Sequence, residues 1–429
     1  MLLAIAFFIV ILFLGMPVAF AIGISGFIFF MLEGTIPLTI LVQKSLSTTQ
    51  SFTMLAIPLF ILAGNLMNNT GITSRLVKLS NVLTGHMYGS IGQVSVVLST
   101  LMGGVSGSAV ADAAMECRIL GPEMVKRGYA PGWAAAVNCL SGLIVATIPP
   151  SMGLILYGTV GEVSIGRLFV AGFVPGIIMC VFMMIATSWS ARHFGYKPDH
   201  SKPASLSEIL KCCWESVWAL LFPFLLIVLI RGGVMTPSES GAFAVFYALV
   251  VGIFIYRELS LEKFKNCIID SVKDLSVITM ILAFSGSFSY GVVYDQLPKA
   301  IAESLVLVTG NPIILLLIIV LMLAICGMFM ETTVITLIVT PILLPVIRQY
   351  GIDPVQFGII MMTTVTMGCS TPPVGVALYT CSTIMDCSIE ETTRYAWPWF
   401  IAIFATLAIS IFCPKLILFF PNLVYGVSM

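Results

Sequence analysis

Apolar residues run through this chain in blocks of roughly membrane-spanning length, almost end to end, with short polar stretches between them. A helix needs about 20 mostly apolar residues to cross the hydrocarbon core. The pattern therefore predicts an all-α polytopic membrane protein with roughly ten to twelve membrane-embedded segments. Residues 2 to 32 are almost wholly apolar, yet the first Lys or Arg is Lys44. With no basic residue ahead of it and about twice the length of a signal h-region, this run reads as a membrane helix rather than a secretory leader.

Composition sharpens the picture. Hydrophobic residues make up 59% of 429 positions and charged residues 9%, against about 25% charged in a soluble domain, which excludes a water-soluble globule. The formal net charge is zero, so neither a nucleic-acid partner nor peripheral membrane attachment is expected. Eleven cysteines lack metal-ligand spacing, and Cys139, Cys180, Cys326 and Cys369 lie in apolar runs as expected of buried thiols. The three histidines, His86, His193 and His200, build no catalytic or metal cluster. Basic residues gather in two loops, one with Arg192, Lys197, Lys202 and Lys211, the other with Arg257, Lys263, Lys265 and Lys273. Two apolar segments separate them, so both loops are expected on the cytoplasmic side, with residues 231–241 facing outward.

An internal repeat organises the chain. Pro122, Gly128, Pro131, Pro149 and Pro150 match Pro345, Gly351, Pro354, Pro372 and Pro373 at a constant offset of 223 positions, and Gly104 matches Gly327. Such repeats are either duplicated bundles or inverted pairs around a midplane site. Uncharged runs follow Arg127 and Asp353, each longer than one crossing, and each carries a double proline, in "ATIPPSMG" and "GCSTPPVG". Proline removes a backbone hydrogen bond, so both helices are expected to break there and favour the inverted arrangement. Upstream, "GGVSGSAVADAA" and "GMFMETT" interrupt apolar runs too short for two crossings and too polar for one, as re-entrant hairpins do. The fold expected is a single membrane domain with two inverted-topology repeats. Repeat 1 spans residues 52–158, with a hairpin at about 88–121 and a broken helix at about 132–158; repeat 2 spans 275–380, with a hairpin at about 313–344 and a broken helix at about 355–380. Residues 1–51, 160–274 and 381–429 are assigned mainly to scaffold.

A tip and a break at one depth form a cage of carbonyls and helix ends, suited to a cation and an anionic substrate. Ser106 and Ser108 are candidate hydroxyl ligands, although small residues there also suit close helix packing. Glu331 follows an uncharged stretch of 27 residues and precedes Thr332 and Thr333; a carboxylate at depth is a functional candidate, with a place near an interface or capping of the next half-helix as the alternatives. Asp112 is a second candidate, with an intrahelical ion pair through Glu116 and Arg118, or a solvated groove, as its alternative. Around the double prolines, Thr371 with the backbone of Gly368 and Val374 corresponds to Ile148, Val145 and Ser151, positions where carbonyls matter more than side chains. Asn65, Asn68 and Asn69 are read as a helix end.

With "GMPV" and "AIPLFILAGNLMNNTGIT", these motifs form an ordered set by which the whole chain resembles the large subunit of tripartite ATP-independent periplasmic (TRAP) transporters. The resemblance implies a sodium-coupled importer of small organic acids, such as dicarboxylates or sialic acids, in the bacterial inner membrane. It implies two partners, a separate small four-helix membrane subunit and a periplasmic binding protein, no cofactor besides coupling sodium, and an elevator mechanism. It places one sodium site at Ser106, Val145, Ile148 and Pro149, another at Gly327, Gly368, Thr371 and Val374, and substrate near Ser108, Thr332 and Thr333. The moving part would comprise the hairpins and broken helices; the scaffold would comprise the N-terminal helices and those of about residues 166 to 256. Competing readings are a stand-alone anion transporter, a channel, and an intramembrane serine protease at "GVSG", which lacks a histidine base in a membrane helix.

Overall fold

The computed structural model describes residues 1–50, 52–103, 107–200, 202–297, 299–300 and 309–426. All secondary structure in the described residues is helical. Among the described residues, five helices are long and apolar enough to cross a bilayer: Ile165–His193, Ser238–Ile255, Pro312–Phe329, Thr332–Gln349 and Ile389–Phe412. The pair Leu206–Glu215 and Val217–Arg231, bent by 65°, adds a sixth if taken as one span. These are fewer uninterrupted spans than the sequence suggested, because glycine and proline cut other apolar blocks into shorter helices such as Ser90–Met102, Pro131–Ala146 and Pro354–Cys369.

Helix starts follow local chemistry. Ser205 and Thr236 form capping boxes with Glu208 and Glu239, while Pro131, Pro312 and Pro354 occupy first-turn positions where no amide hydrogen is needed. The basic stretch from Lys263 to Lys273, expected in a connecting loop, instead forms the first part of a 34-residue helix, Leu261–Tyr294.

Two helix–tip–helix units stand out. The first joins Ser90–Met102 to Ala109–Lys126, and the second joins Pro312–Phe329 to Thr332–Gln349. The second arms have equal length, 18 residues, and start at positions related by the offset seen in sequence. Both run past the expected ends of the hairpins, through Pro122 and Pro345, because one missing amide hydrogen is tolerable where neighbouring protein satisfies the freed carbonyl. Each unit is followed by a broken helix. Pro131–Ser141 tightens into a 3-10 turn, Gly142–Ala146, and resumes as Met152–Val160; Pro354–Cys369 stops and resumes as Val376–Ile384. The Pro149-Pro150 and Pro372-Pro373 peptide bonds inside these breaks are both cis.

Packing separates two groups of helices. The N-terminal helices, Val18–Glu33, Leu38–Thr49 and Ala56–Asn69, pack on Leu261–Tyr294, and Ala56–Asn69 also packs on Pro237–Val250. Ile165–His193 and Ile389–Phe412, assigned from sequence mainly to scaffold, pack with the first hairpin and the broken helices instead. Two indoles explain this. The fully buried rings of Trp133 and Trp399 meet edge to face at 5.5 Å. Trp133 Nε1 donates to Ser190 Oγ and Trp399 Nε1 to Thr187 Oγ1, each at 2.8 Å. A buried indole N–H needs a partner, and both find theirs on Ile165–His193.

Inside the first hairpin sits a buried carboxylate. Glu116 accepts from Ser95 Oγ and Ser99 Oγ at 2.6 Å each, and from Ser141 Oγ at 3.2 Å. These hydroxyls come from the opposite arm and from the broken helix, so one side chain ties three segments together. The alternative of an ion pair with Arg118 does not form, since Arg118 is exposed and Glu116 is fully buried. Replacing Glu116 with Leu strands three buried hydroxyls, and we expect it to lower stability by about 2–4 kcal/mol, with Ser99→Ala costing about 1 kcal/mol. Chemical unfolding in mixed micelles checks this; a Glu116→Leu protein as stable as wild type would show that the cage is not structural.

Candidate functional site

The tips and breaks meet in pairs. In the first pair, Met152 N donates to the carbonyl of Gly107 at 3.3 Å. Gly107 has φ +68°, and a Cβ there would lie 2.9 Å from the Pro150 carbonyl oxygen, so only glycine fits the approach. In the second pair, Gly375 N donates to Met328 O at 2.9 Å, and Cys369 Sγ lies 3.3 Å from Met330 O. Gly327 and Gly368 face each other so closely that a Cβ on Gly368 would stand 2.6 Å from the Gly327 Cα.

The sequence-derived ion positions fall around these junctions. Val145, Ile148 and Pro149 are all buried at the first break, while Ser106 lies outside the described residues. Gly327 and Gly368 touch at the second junction. Thr371 follows, its N–H donating to Gly368 O at 2.9 Å and its hydroxyl to Met367 O at 2.7 Å. Val374 is 45% exposed, on the open side of this break rather than in the buried contact.

Between the tips and the other helix group lies a cavity of about 310 Å³. Ser108, Met152, Glu331 and Thr333 line one side; Asn65, Asn68, Asp274 and Ile278 line the other. Three helices, Ala109–Lys126, Met152–Val160 and Thr332–Gln349, begin beside it, turning their positive N-terminal ends toward its edge. Ser108, Glu331 and Thr333 thus line one cavity. Thr332 turns away, its hydroxyl 3.6 Å from Cys369 Sγ. Asp112 is buried in the first turn of its helix, outside the cavity lining.

Sequence reasoning missed the opposite wall. Asn65 Nδ2 donates to Ser271 Oγ at 2.9 Å and reaches Asp274 Oδ2 at 3.4 Å. Asn68 Oδ1 is shielded from solvent without a hydrogen-bond partner among the described residues. The asparagines were read as a helix end, and the helix does end at Asn69; their spacing of three also placed them on one face. Nothing in the local sequence around Asp274 marked it, because its place depends on which helix stands across the cavity.

Comparison with known proteins agrees with this architecture. Residues 5–416 match the family described as the DctM component of the tripartite ATP-independent periplasmic transporter. An uncharacterized protein, YgiK, of Salmonella typhimurium is 38% identical over 419 residues, covering 97% of this chain and 96% of its own. The sialic acid TRAP transporter large permease protein SiaM of Vibrio cholerae is 34% identical over 415 residues, covering 97% of each. Among solved structures, the YdaH transporter of Alcanivorax borkumensis shares the fold, with a TM-score of 0.61, 12% identity and coverage of 87% of this chain and 88% of that one. By the family match and these full-length identities, the chain belongs to the DctM component family, the large permease of tripartite ATP-independent periplasmic transporters, and is a multi-pass membrane transport protein, not an enzyme.

Proposed function

We propose that this chain imports a small organic acid across the bacterial inner membrane, coupled to sodium, by an elevator movement of the hairpins and broken helices against the remaining helices. The observation that carries the reading is the 310 Å³ cavity, walled on one side by both tips and on the other by Asn65, Asn68 and Asp274. A site shared between two packed groups changes exposure when one slides past the other. The two tip-and-break pairs, recurring at a fixed offset, support inverted repeats. Helix N-termini at the cavity edge favour a carboxylate, and the backbone carbonyls freed at the breaks favour coupling cations. The sialic acid relative supports an acid as substrate, and the family's description supports delivery by a periplasmic binding protein and work with a small membrane subunit.

Orientation follows from ion pairs at one end of the molecule. Arg75 pairs with Glu258 at 2.8 Å and Lys78 with Glu215 at 2.6 Å, while Gly85 O accepts from the backbone of Asp199 and His200. Both basic segments therefore gather on one face, which the positive-inside rule assigns to the cytoplasm. Met1, paired with Asp295 at the far end of Leu261–Tyr294, then lies toward the periplasm.

Sodium is tested first without knowing the substrate. A ligand bound only by the folded state raises its stability by mass action, about 2.7 kcal/mol at one hundred times its Kd. Wild type is expected to melt higher in sodium than in potassium chloride at equal ionic strength, and Thr371→Pro, which removes the donor to Gly368 O, is expected to lose that difference while folding in potassium. Equal melting of a folded wild type in both salts would remove sodium from the reading. In a second measurement, Asp274→Asn and Glu331→Gln should each slow uptake in proteoliposomes at least tenfold, yet shift stability by no more than about 0.5 kcal/mol because both side chains are exposed in the cavity. Wild-type rates in both variants would dissociate the cavity from transport. Uptake is further expected to depend strictly on added periplasmic binding protein; rapid uptake without it would identify a stand-alone carrier.

A further inference from the structure

A second cavity, of about 390 Å³, lies farther along the same long helix. Helix Leu38–Thr49 contributes Lys44, Ser47 and Thr48 to it, and Leu261–Tyr294 contributes Ser285, Ser289 and Tyr290. Its third wall is built from Thr159 and Leu337, on the helices that supply Leu156 and Thr333 to the first cavity. The two cavities are therefore one turn apart on the hairpin side. On the long helix their nearest lining residues, Ile278 and Ser285, are about 10 Å apart at 1.5 Å per residue.

Their charges are opposite. Asp274 and Glu331 line the first cavity without a basic side chain, whereas Lys44 lines the second without an acidic one. Lys44 is exposed, and among the described residues it has no salt-bridge partner. Its ammonium lies 5.4 Å from the Tyr290 ring centroid, a contact that orients the cation without neutralising it. The hydroxyls of Ser47 and Thr48 donate to the carbonyl of Lys44, and that of Ser285 to Leu282 O. Lys44 is thus the charged donor that faces the cavity, and an anion entering there meets no carboxylate in the lining.

We propose that the Lys44 cavity is a second anion site on the transport path, which receives the carboxylate of the incoming acid before it reaches the cavity of Asp274 and Glu331. The inference rests on the reading of the chain as an organic-acid importer. It assigns attraction of the acid to Lys44 and leaves the acidic cavity to release it, since a carboxylate carried to Asp274 and Glu331 without its coupling cations is repelled. A lipid phosphate offers Lys44 the same negative charge, so the source of the anion has to be separated by experiment.

The test uses the full wild-type chain in phosphatidylcholine vesicles, with sodium chloride held constant. Lysines are acetylated by an N-hydroxysuccinimide ester and each site is followed by peptide mass spectrometry, with exposed Lys211 as internal control. Succinate, N-acetylneuraminate and gluconate are the probes, and melting is measured in parallel. We expect at least one acid to raise the melting temperature and to slow acetylation of Lys44 at least fivefold while Lys211 reacts unchanged. In uptake measured with the small membrane subunit and the periplasmic binding protein present, Lys44→Gln should raise KM at least tenfold with the maximal rate within twofold, and Lys44→Arg should restore it. An acid that stabilises the protein without protecting Lys44 would overturn this inference and leave the importer reading standing. Protection that requires added phosphatidylglycerol and ignores the acids would make it a lipid contact and overturn it equally. Failure of all three acids both to stabilise and to protect would count against the importer reading itself, and the inference would fall with it.

Discussion

A helix interrupted inside an apolar medium exposes amide hydrogens and carbonyls that water cannot reach, and each must find a partner within the protein. Here the partner is supplied by a hairpin tip. Gly107 O takes the amide hydrogen of Met152, and Met328 O takes that of Gly375. The need for close backbone approach then dictates glycine at the contacts, most plainly where Gly327 meets Gly368. The position of the tips follows from the breaks, and the cavity follows from the tips.

That chain of dependence explains what could be read from the sequence. Double prolines and clustered glycines are local signals with local consequences, so both breaks, the Ser108 tip and the Glu331 tip were legible, along with the offset relating them. Single prolines misled at the hairpin ends, because Pro122 and Pro345 sit within helices whose neighbours absorb the missing bond. Features that require knowing which helix stands opposite were not legible. Asp274 faces Glu331 only because Leu261–Tyr294 passes the second tip. The serines around Glu116 arrive from two other segments. The grouping of Ile165–His193 with the hairpins is fixed by Trp133 and Trp399, whose partners, Ser190 and Thr187, are unremarkable in sequence.

The two halves of the tip region also differ in how they face their surroundings. The first break is buried throughout, while Pro373 and Val374 at the second are exposed. Similar double-proline breaks therefore meet unequal environments: the first packs against Ile165–His193 and the second carries exposed residues. The two breaks, alike in their double prolines, thus differ in exposure in a way that the prolines do not reveal.

The length of Leu261–Tyr294 carries one more consequence. At 34 residues it measures about 50 Å, well beyond a hydrocarbon core of about 30 Å. The excess falls at its first turns, where Glu262, Lys263 and Lys265 alternate charge and where lysine stems can reach headgroups. Charged at that end and apolar beyond it, the helix has the composition of one moored in an interface, whose remainder would lean to match the lipid around it. Bilayer thickness would then act on the tilt of the wall that borders both cavities, and a membrane of different acyl length would set a different height between them with no change of sequence.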